Sequence, residues 1–171
     1  MSNLRLLNQT TVSSAVTTVN ITDVFSADYD IYKIVLSNTT ASSTIDLDMK
    51  FINSSGSVIS SSDYAYANQR QRQSGFNELK SQSDTDIQLG FGQVANSLGS
   101  GAVSYVFNPF SSSSYTFYLM QNETLSGTEH RSFKLIGVLK QLNSITGFQA
   151  KVNNDTLTSA TFKTYGLRVD N

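Results

Sequence analysis

Tyr29-Asp-Ile-Tyr-Lys-Ile-Val-Leu-Ser37, Asn38-Thr-Thr-Ala-Ser-Ser43 and Thr44-Ile-Asp-Leu-Asp-Met-Lys-Phe51 follow one another, and this stretch decides the fold class. In its last segment Ile45, Leu47, Met49 and Phe51 alternate with Asp46, Asp48 and Lys50. A strand there would turn one apolar face to a core and one charged face to water, as antiparallel sheets allow. In the first segment Tyr32, Ile34 and Leu36 share one face while Ile31 and Val35 lie on the other, so this strand is expected to be covered more fully. The polar segment between them reads as a turn.

Working outward, Val12, Val16, Val19 and Ile21 predict a strand within Thr11 to Ile21, and Phe25 anchors the link that follows. Asn53 to Gly56 reads as a turn, and Val58 and Ile59 as a short strand pairing back on the one before. Ser61 to Ser83 is the least regular region, where a strand, a short helix or an exposed loop all fit. Strands are predicted over Thr85 to Phe91, Val103 to Phe107 and Tyr115 to Gln121, with a flexible loop at Leu98 to Gly101 and Pro109 ending the middle strand. His130 to Lys140 is apolar through its centre and predicts a central strand covered on both faces. Ile145 to Val152 and Ala160 to Val169, around a turn at Asn153 to Asp155, predict a final hairpin. The sum is an all-β fold, an antiparallel β-sandwich of eight to ten strands, jelly-roll-like, with a Greek-key sandwich as the alternative. Residues 1–10 read as an amino-terminal arm and 11–171 as a single β-sandwich domain.

The 171 residues suit one domain, and the ten Phe and eight Tyr argue against a disordered chain despite the abundance of Ser and Thr. There is no cysteine, hence no disulfide or thiolate metal site. A net charge of -1 with 15% charged residues, and no cluster of Lys and Arg, argues against a nucleic-acid partner. No apolar run reaches the length of a signal peptide or membrane span, so synthesis and folding in a cytoplasm are expected. Six Asn-x-Ser/Thr triplets, at Asn8, Asn20, Asn38, Asn53, Asn122 and Asn154, are a weak excess over chance.

Catalytic chemistry has little to stand on. His130, the single histidine, has no nucleophile elbow to serve and reads as a surface residue at a strand start. The three Glu specify no glycosidase pair. Asp84 and Asp86 share a strand face and could offer two oxygens to calcium, which takes six to eight, whereas Asp46 and Asp48 read as the wet face of their strand. No cofactor is expected. Tyr64, Tyr66, Arg70 and Arg72 could stack on a sugar or grip a protein, the plainer alternative being tyrosines folded onto the sheet. Leu4, Leu6 and Leu7, apolar and outside any clear strand, are the candidates for docking on a partner.

The segments Asp28-Tyr-Asp-Ile-Tyr32, Tyr105-Val-Phe-Asn-Pro109, Ile145-Thr-Gly-Phe-Gln149 and Thr161-Phe-Lys-Thr-Tyr-Gly-Leu167 together resemble small β-sandwich virion proteins of marine tailed bacteriophages. The chain departs from that pattern at Asn38 to Thr40, where the relatives carry a proline, and at Ala160, where they carry a glycine. The resemblance implies a non-enzymatic virion protein in a symmetric oligomer. The first expectation is a head decoration or cement protein contacting the major capsid protein, at the virion surface. The second is a tail-fibre or knob module touching a host glycan.

Overall fold

The computed structural model describes residues 3–43, 45–89, 99–126 and 128–168. In chain order the strands are β1 (Leu4–Val12), β2 (Thr18–Ile21), β3 (Ile31–Ala41), β4 (Asp46–Asn53), β5 (Tyr64–Arg72), β6 (Gly75–Asp84), β7 (Ile87–Gln88), β8 (Gly101–Phe107), β9 (Thr116–Ser126), β10 (Glu129–Leu139), β11 (Ile145–Asn153) and β12 (Leu157–Leu167). Eight form a large sheet in the order β1-β12-β3-β8-β9-β10-β5-β6, and four form a small sheet, β2-β11-β4-β7. The pairings are antiparallel, and the two sheets face each other as a jelly-roll-like β-sandwich.

The described strands number twelve where eight to ten were expected, and the added ones have a physical reason. The residues of Ser61 to Ser83 form the hairpin β5–β6 at the edge of the large sheet, where polar residues solvate an exposed strand and hide the alternation. Leu4 to Thr10, expected in an arm, belong to β1, which pairs with β12 along the opposite edge. The single strand expected within Thr11 to Ile21 is instead the end of β1 and the whole of β2, and these lie in different sheets. Of the strand expected over Thr85 to Phe91, Ile87 and Gln88 are in the small sheet among the described residues; Gly90, Phe91 and Leu98 lie outside them, as does Val169.

Consecutive strands often change sheet. β3 belongs to the large sheet and β4 to the small one, so the stretch from Tyr29 to Phe51 forms one corner of the sandwich. The expected final hairpin is a second corner, with β11 in the small sheet and β12 in the large, turned at Asn154 and Asp155, both with positive φ. Asn and Asp tolerate that region better than other side chains.

The core lies between the sheets. Tyr32, Ile34 and Leu36 of β3 meet Leu47, Met49 and Phe51 of β4, as the alternation predicts, and Phe25 is buried against Tyr32 and Phe148. Tyr32 satisfies its hydroxyl inside the fold, donating to the Ser26 carbonyl at 2.8 Å and accepting from the Ser26 amide at 2.7 Å. Within the small sheet, close approach of the end of β2 to β11 needs Gly147, where a Cβ would stand 2.3 Å from the Ile21 carbonyl oxygen. The charged face of β4 departs from expectation: Asp46 is exposed, but Asp48 and Lys50 are buried. The reason is cover from neighbours. Lys50 reaches Asp86 at 3.9 Å and the Ser60 hydroxyl at 3.3 Å, and the Asn153 amide donates to Asp48.

Candidate docking face

Residues of the large sheet that point away from the small one form cross-strand rows, which the registers define. One row runs Leu4, Leu167, Ile31, Phe107, Phe117, Val138 from β1 to β10, and Ala65 of β5 follows. The adjacent row runs Leu6, Tyr165, Lys33, Tyr105, Leu119, Ile136 and then Ala67. Lys33 is the one charged residue in the two rows. Ile136 is 60% exposed, Leu6 49% and Phe117 45%, and the rest are part-exposed or exposed. A shallow trough of about 480 Å³ follows the band over β9, β10 and β5.

Antiparallel sheets ordinarily present polar side chains on a solvent face. Seven strands at about 4.8 Å and two same-face rows about 6.8 Å apart make a band of roughly 30 by 14 Å. That footprint, on the order of 400 Å², is the size of the largest apolar patches on monomeric proteins, which are often functional.

Each candidate residue from the sequence has a place. Leu4 and Leu6 stand at one end of the band, on β1 and not on a separate arm. Leu7 occupies the bulge between Leu6 and Asn8 and packs, partly buried, against the core. Tyr64 and Tyr66 are not on an exposed loop: both are buried on β5. The Tyr64 hydroxyl donates to the Ile59 carbonyl at 3.1 Å and accepts from the Phe51 amide at 2.9 Å, and burial pushes its pKa up. Tyr66 donates to Asp84 at 3.3 Å. With Asp84 so engaged and Asp86 buried against Lys50, the two carboxylates serve different partners; no group of three or more His, Cys, Asp or Glu among the described residues could hold a metal. His130 is exposed and lies 2.7 Å from Glu123.

Arg70 and Arg72 share the inner face of β5 with Tyr64, Tyr66 and Asn68. Arg70 lies over the Phe133 ring, 5.3 Å from its centroid, and burial lowers its pKa with Arg72 and Arg131 adding to the effect against Asp46. Arg72 and Arg131 are direct cross-strand partners. Arg131 is held by Glu129 at 2.6 Å. Asn68 and Asn122 are 2% and 1% exposed, and among the described residues neither side-chain nitrogen nor oxygen of either has a hydrogen-bond partner. The buried Nε atoms of Arg70 and Arg72 are also without one. Leaving such a group unsatisfied costs about 1–3 kcal/mol.

The sequence reading missed Phe107, Phe117, Ile136 and Val138 because an apolar run through both faces of a strand looks like a strand covered on both sides. For β10 that expectation is corrected: its inner residues Phe133, Leu135 and Leu139 are buried, while Ile136 between them faces solvent. Asn68, Asn122 and Arg131 carried a signal in their parity, since Asn122 falls in step with Tyr118 and Met120.

No protein-family model matches the chain, and no curated protein sequence matches it. Among solved structures it is similar to an alginate lyase, Aly36B, in a mutant form with bound alginate trisaccharide, at 10% identity, covering 98% of this chain and 88% of that one with a TM-score of 0.40. A tetrameric galectin from the ball sponge Cinachyrella sp. is 7% identical over 88% of this chain and 99% of its own, with a TM-score of 0.41. A human SPRY domain is 8% identical over 93% and 89%, with a TM-score of 0.38. At these identities the likeness is one of fold alone.

Proposed function

We propose that this protein is a non-enzymatic structural module that docks on a protein surface through the outer apolar band of its large sheet. The band carries the proposal: thirteen of its fourteen positions are apolar, in register across seven strands. The sequence resemblance supplies the setting, a decoration protein on a bacteriophage head with the shell subunits as partner. A standard interface buries roughly 800 Å² per partner, so the contact takes in the next row, with Val35, Val103, Gln121 and Lys134, as well as the band. Lys33 makes no ion pair among the described residues, and a partner that fits would set a carboxylate opposite it.

Co-sedimentation with assembled heads that lack the protein tests the reading, with a parallel tube of host cells. Saturable binding to heads is expected, lost in Phe117→Ser/Ile136→Glu and weakened in Leu6→Ser, with unfolding midpoints unchanged. Deleting residues 1–9 is the wrong test, because it removes β1 and bares the edge of β12. Undiminished binding by the double variant, or binding to cells and not to heads, would overturn the proposal.

A further inference from the structure

The polar inner patch is separate from the docking band and lies on the opposite face of the same strands. We infer that Arg70, Arg72 and Arg131, with Asn68 and Asn122, form a binding site for an oxyanion, a sulfate or carboxylate group presented by an acidic glycan or free in solution.

Three observations meet there. Arg72 and Arg131 stand opposite each other in the β5–β10 ladder, and Arg70 is two residues from Arg72 on the same face. Like charges placed so repel unless an anion lies between them. Glu129 pairs with Arg131 and also accepts from the Ser74 hydroxyl, and among the described residues neither Arg70 nor Arg72 makes an ion pair. Arg70 and Arg72 therefore have charge to offer a further anion.

The second observation is the orphaned set. Asn122 and Phe133 are cross-strand partners, as are Phe133 and Arg70, so amide and guanidinium occupy one row of the inner face. Asn68 lies one row along, on the strand of the arginines. Two primary amides and two Nε–H groups, sealed from water and without partners among the described residues, are donors waiting for oxygen. The third observation is access. Arg70 and Arg72 are part-exposed, so the patch reaches the surface where its charge is highest while the asparagines lie at its base.

The chemistry selects a planar or tetrahedral oxyanion. Guanidinium presents parallel N–H groups that match two oxygens of a carboxylate or sulfate, and such charge-assisted bonds are the strong ones. The Phe133 ring holds Arg70 in place for that purpose.

Titration calorimetry on the full chain, with sodium sulfate, sodium glucuronate and a sulfated octasaccharide as probes, tests the inference. One saturable site is expected, at least tenfold weaker in Arg72→Gln and in Asn122→Leu, and only partly restored by Arg72→Lys, which keeps charge and loses the fork. An octasaccharide at least tenfold tighter than sulfate assigns the oxyanion to a glycan; equal affinities assign it to a free ion. Unfolding midpoints of the variants, measured without ligand, separate loss of binding from loss of fold. No saturable binding by any probe, or unchanged binding by folded Arg72→Gln, would overturn the site. Neither result bears on head binding, because the band and the patch face opposite ways.

Discussion

The outer face of β8, β9 and β10 and the inner face of β9, β10 and β5 exchange the usual roles of inside and outside. Outside, Phe117 and Ile136 meet solvent; inside, Asn68 and Asn122 are sealed with no partner among the described residues. The exchange happens within single strands. On β10, Leu135 is an ordinary core residue, Phe133 and Arg131 share its face within the polar patch, and Ile136 is on the opposite face. Packing alone explains neither region, since an exposed isoleucine gains nothing for the fold and a buried orphan amide opposes it. Local departures of this kind from the rules that make a fold are where function is expected to sit.

Leu135 and Ile136 are adjacent, similar in size, and 0% and 60% exposed, so they give the sharpest contrast. Leu135→Ala is expected to cost about 2–5 kcal/mol through lost burial and the cavity left behind. Ile136→Ala is expected to stay within about 0.5 kcal/mol, as at other surface sites, while weakening particle binding. Urea unfolding of both variants at two protein concentrations checks this. An Ile136→Ala cost that approaches that of Leu135→Ala, and grows with concentration, would mean that the band is already covered by a second copy.

Much of this was legible in the residues. Alternation gave the inner faces of β3 and β4, and the turn at Asn53 to Gly56 was placed by its glycine, which has a φ of +79°. Pairing was less legible, because alternation says which residues share a face and nothing about which sheet the face belongs to; hence two expected neighbours became sandwich corners. Burial on the charged side of β4 could not be read either. Asp48 and Lys50 are covered by Asp86 and Asn153, brought in from elsewhere in the chain. For the candidate residues, Leu4 and Leu6 lie on β1 and not on a separate arm, Tyr64 and Tyr66 are folded into the sheet as the plainer reading had them, and Arg70 and Arg72 lie on the same inner face. An aromatic beside an arginine on a strand lies on the opposite face or two residues away on the same one, and sequence does not say which face is wet.

The small sheet extends the comparison, since its outer side also hides charge. Burial pushes the Asp48 carboxyl up to about 7, with Asp86 adding to the rise, while the Asn153 bond and Lys151 oppose it. Asp86 is raised as well, by burial and then by Asp84, against the pull of Lys50. The unfolded carboxyl titrates near 3.8. Between those values the folded chain holds a proton that the unfolded chain has released, so the contribution of Asp48 to stability is full below about pH 3.8 and is lost as pH rises through about 7. Asp48→Asn is expected to stabilise the protein at pH 8 by on the order of 2 to 4 kcal/mol and to change little at pH 3.5. Denaturant midpoints across that range decide it; a gain independent of pH would place the effect in packing and not in the charge.

The inner patch predicts the smallest change and the most specific one. Asn122 is 1% exposed with both side-chain polar atoms unpaired, and leucine has nearly its shape. Replacing an unsatisfied polar group by an apolar one of similar form removes a desolvation cost and loses no bond, so Asn122→Leu is expected to gain about 1 kcal/mol in anion-free buffer. The same change should erase the upward shift of the unfolding midpoint that sulfate gives the natural chain, since a ligand that binds only the folded state raises its stability. A residue kept at a cost to the fold, and needed only when an anion is present, is the mark of a site held for binding. A destabilised Asn122→Leu protein would show the opposite, an asparagine that is hydrogen-bonded in the free fold, and the inner patch would then be structure and the contrast with the band would fall.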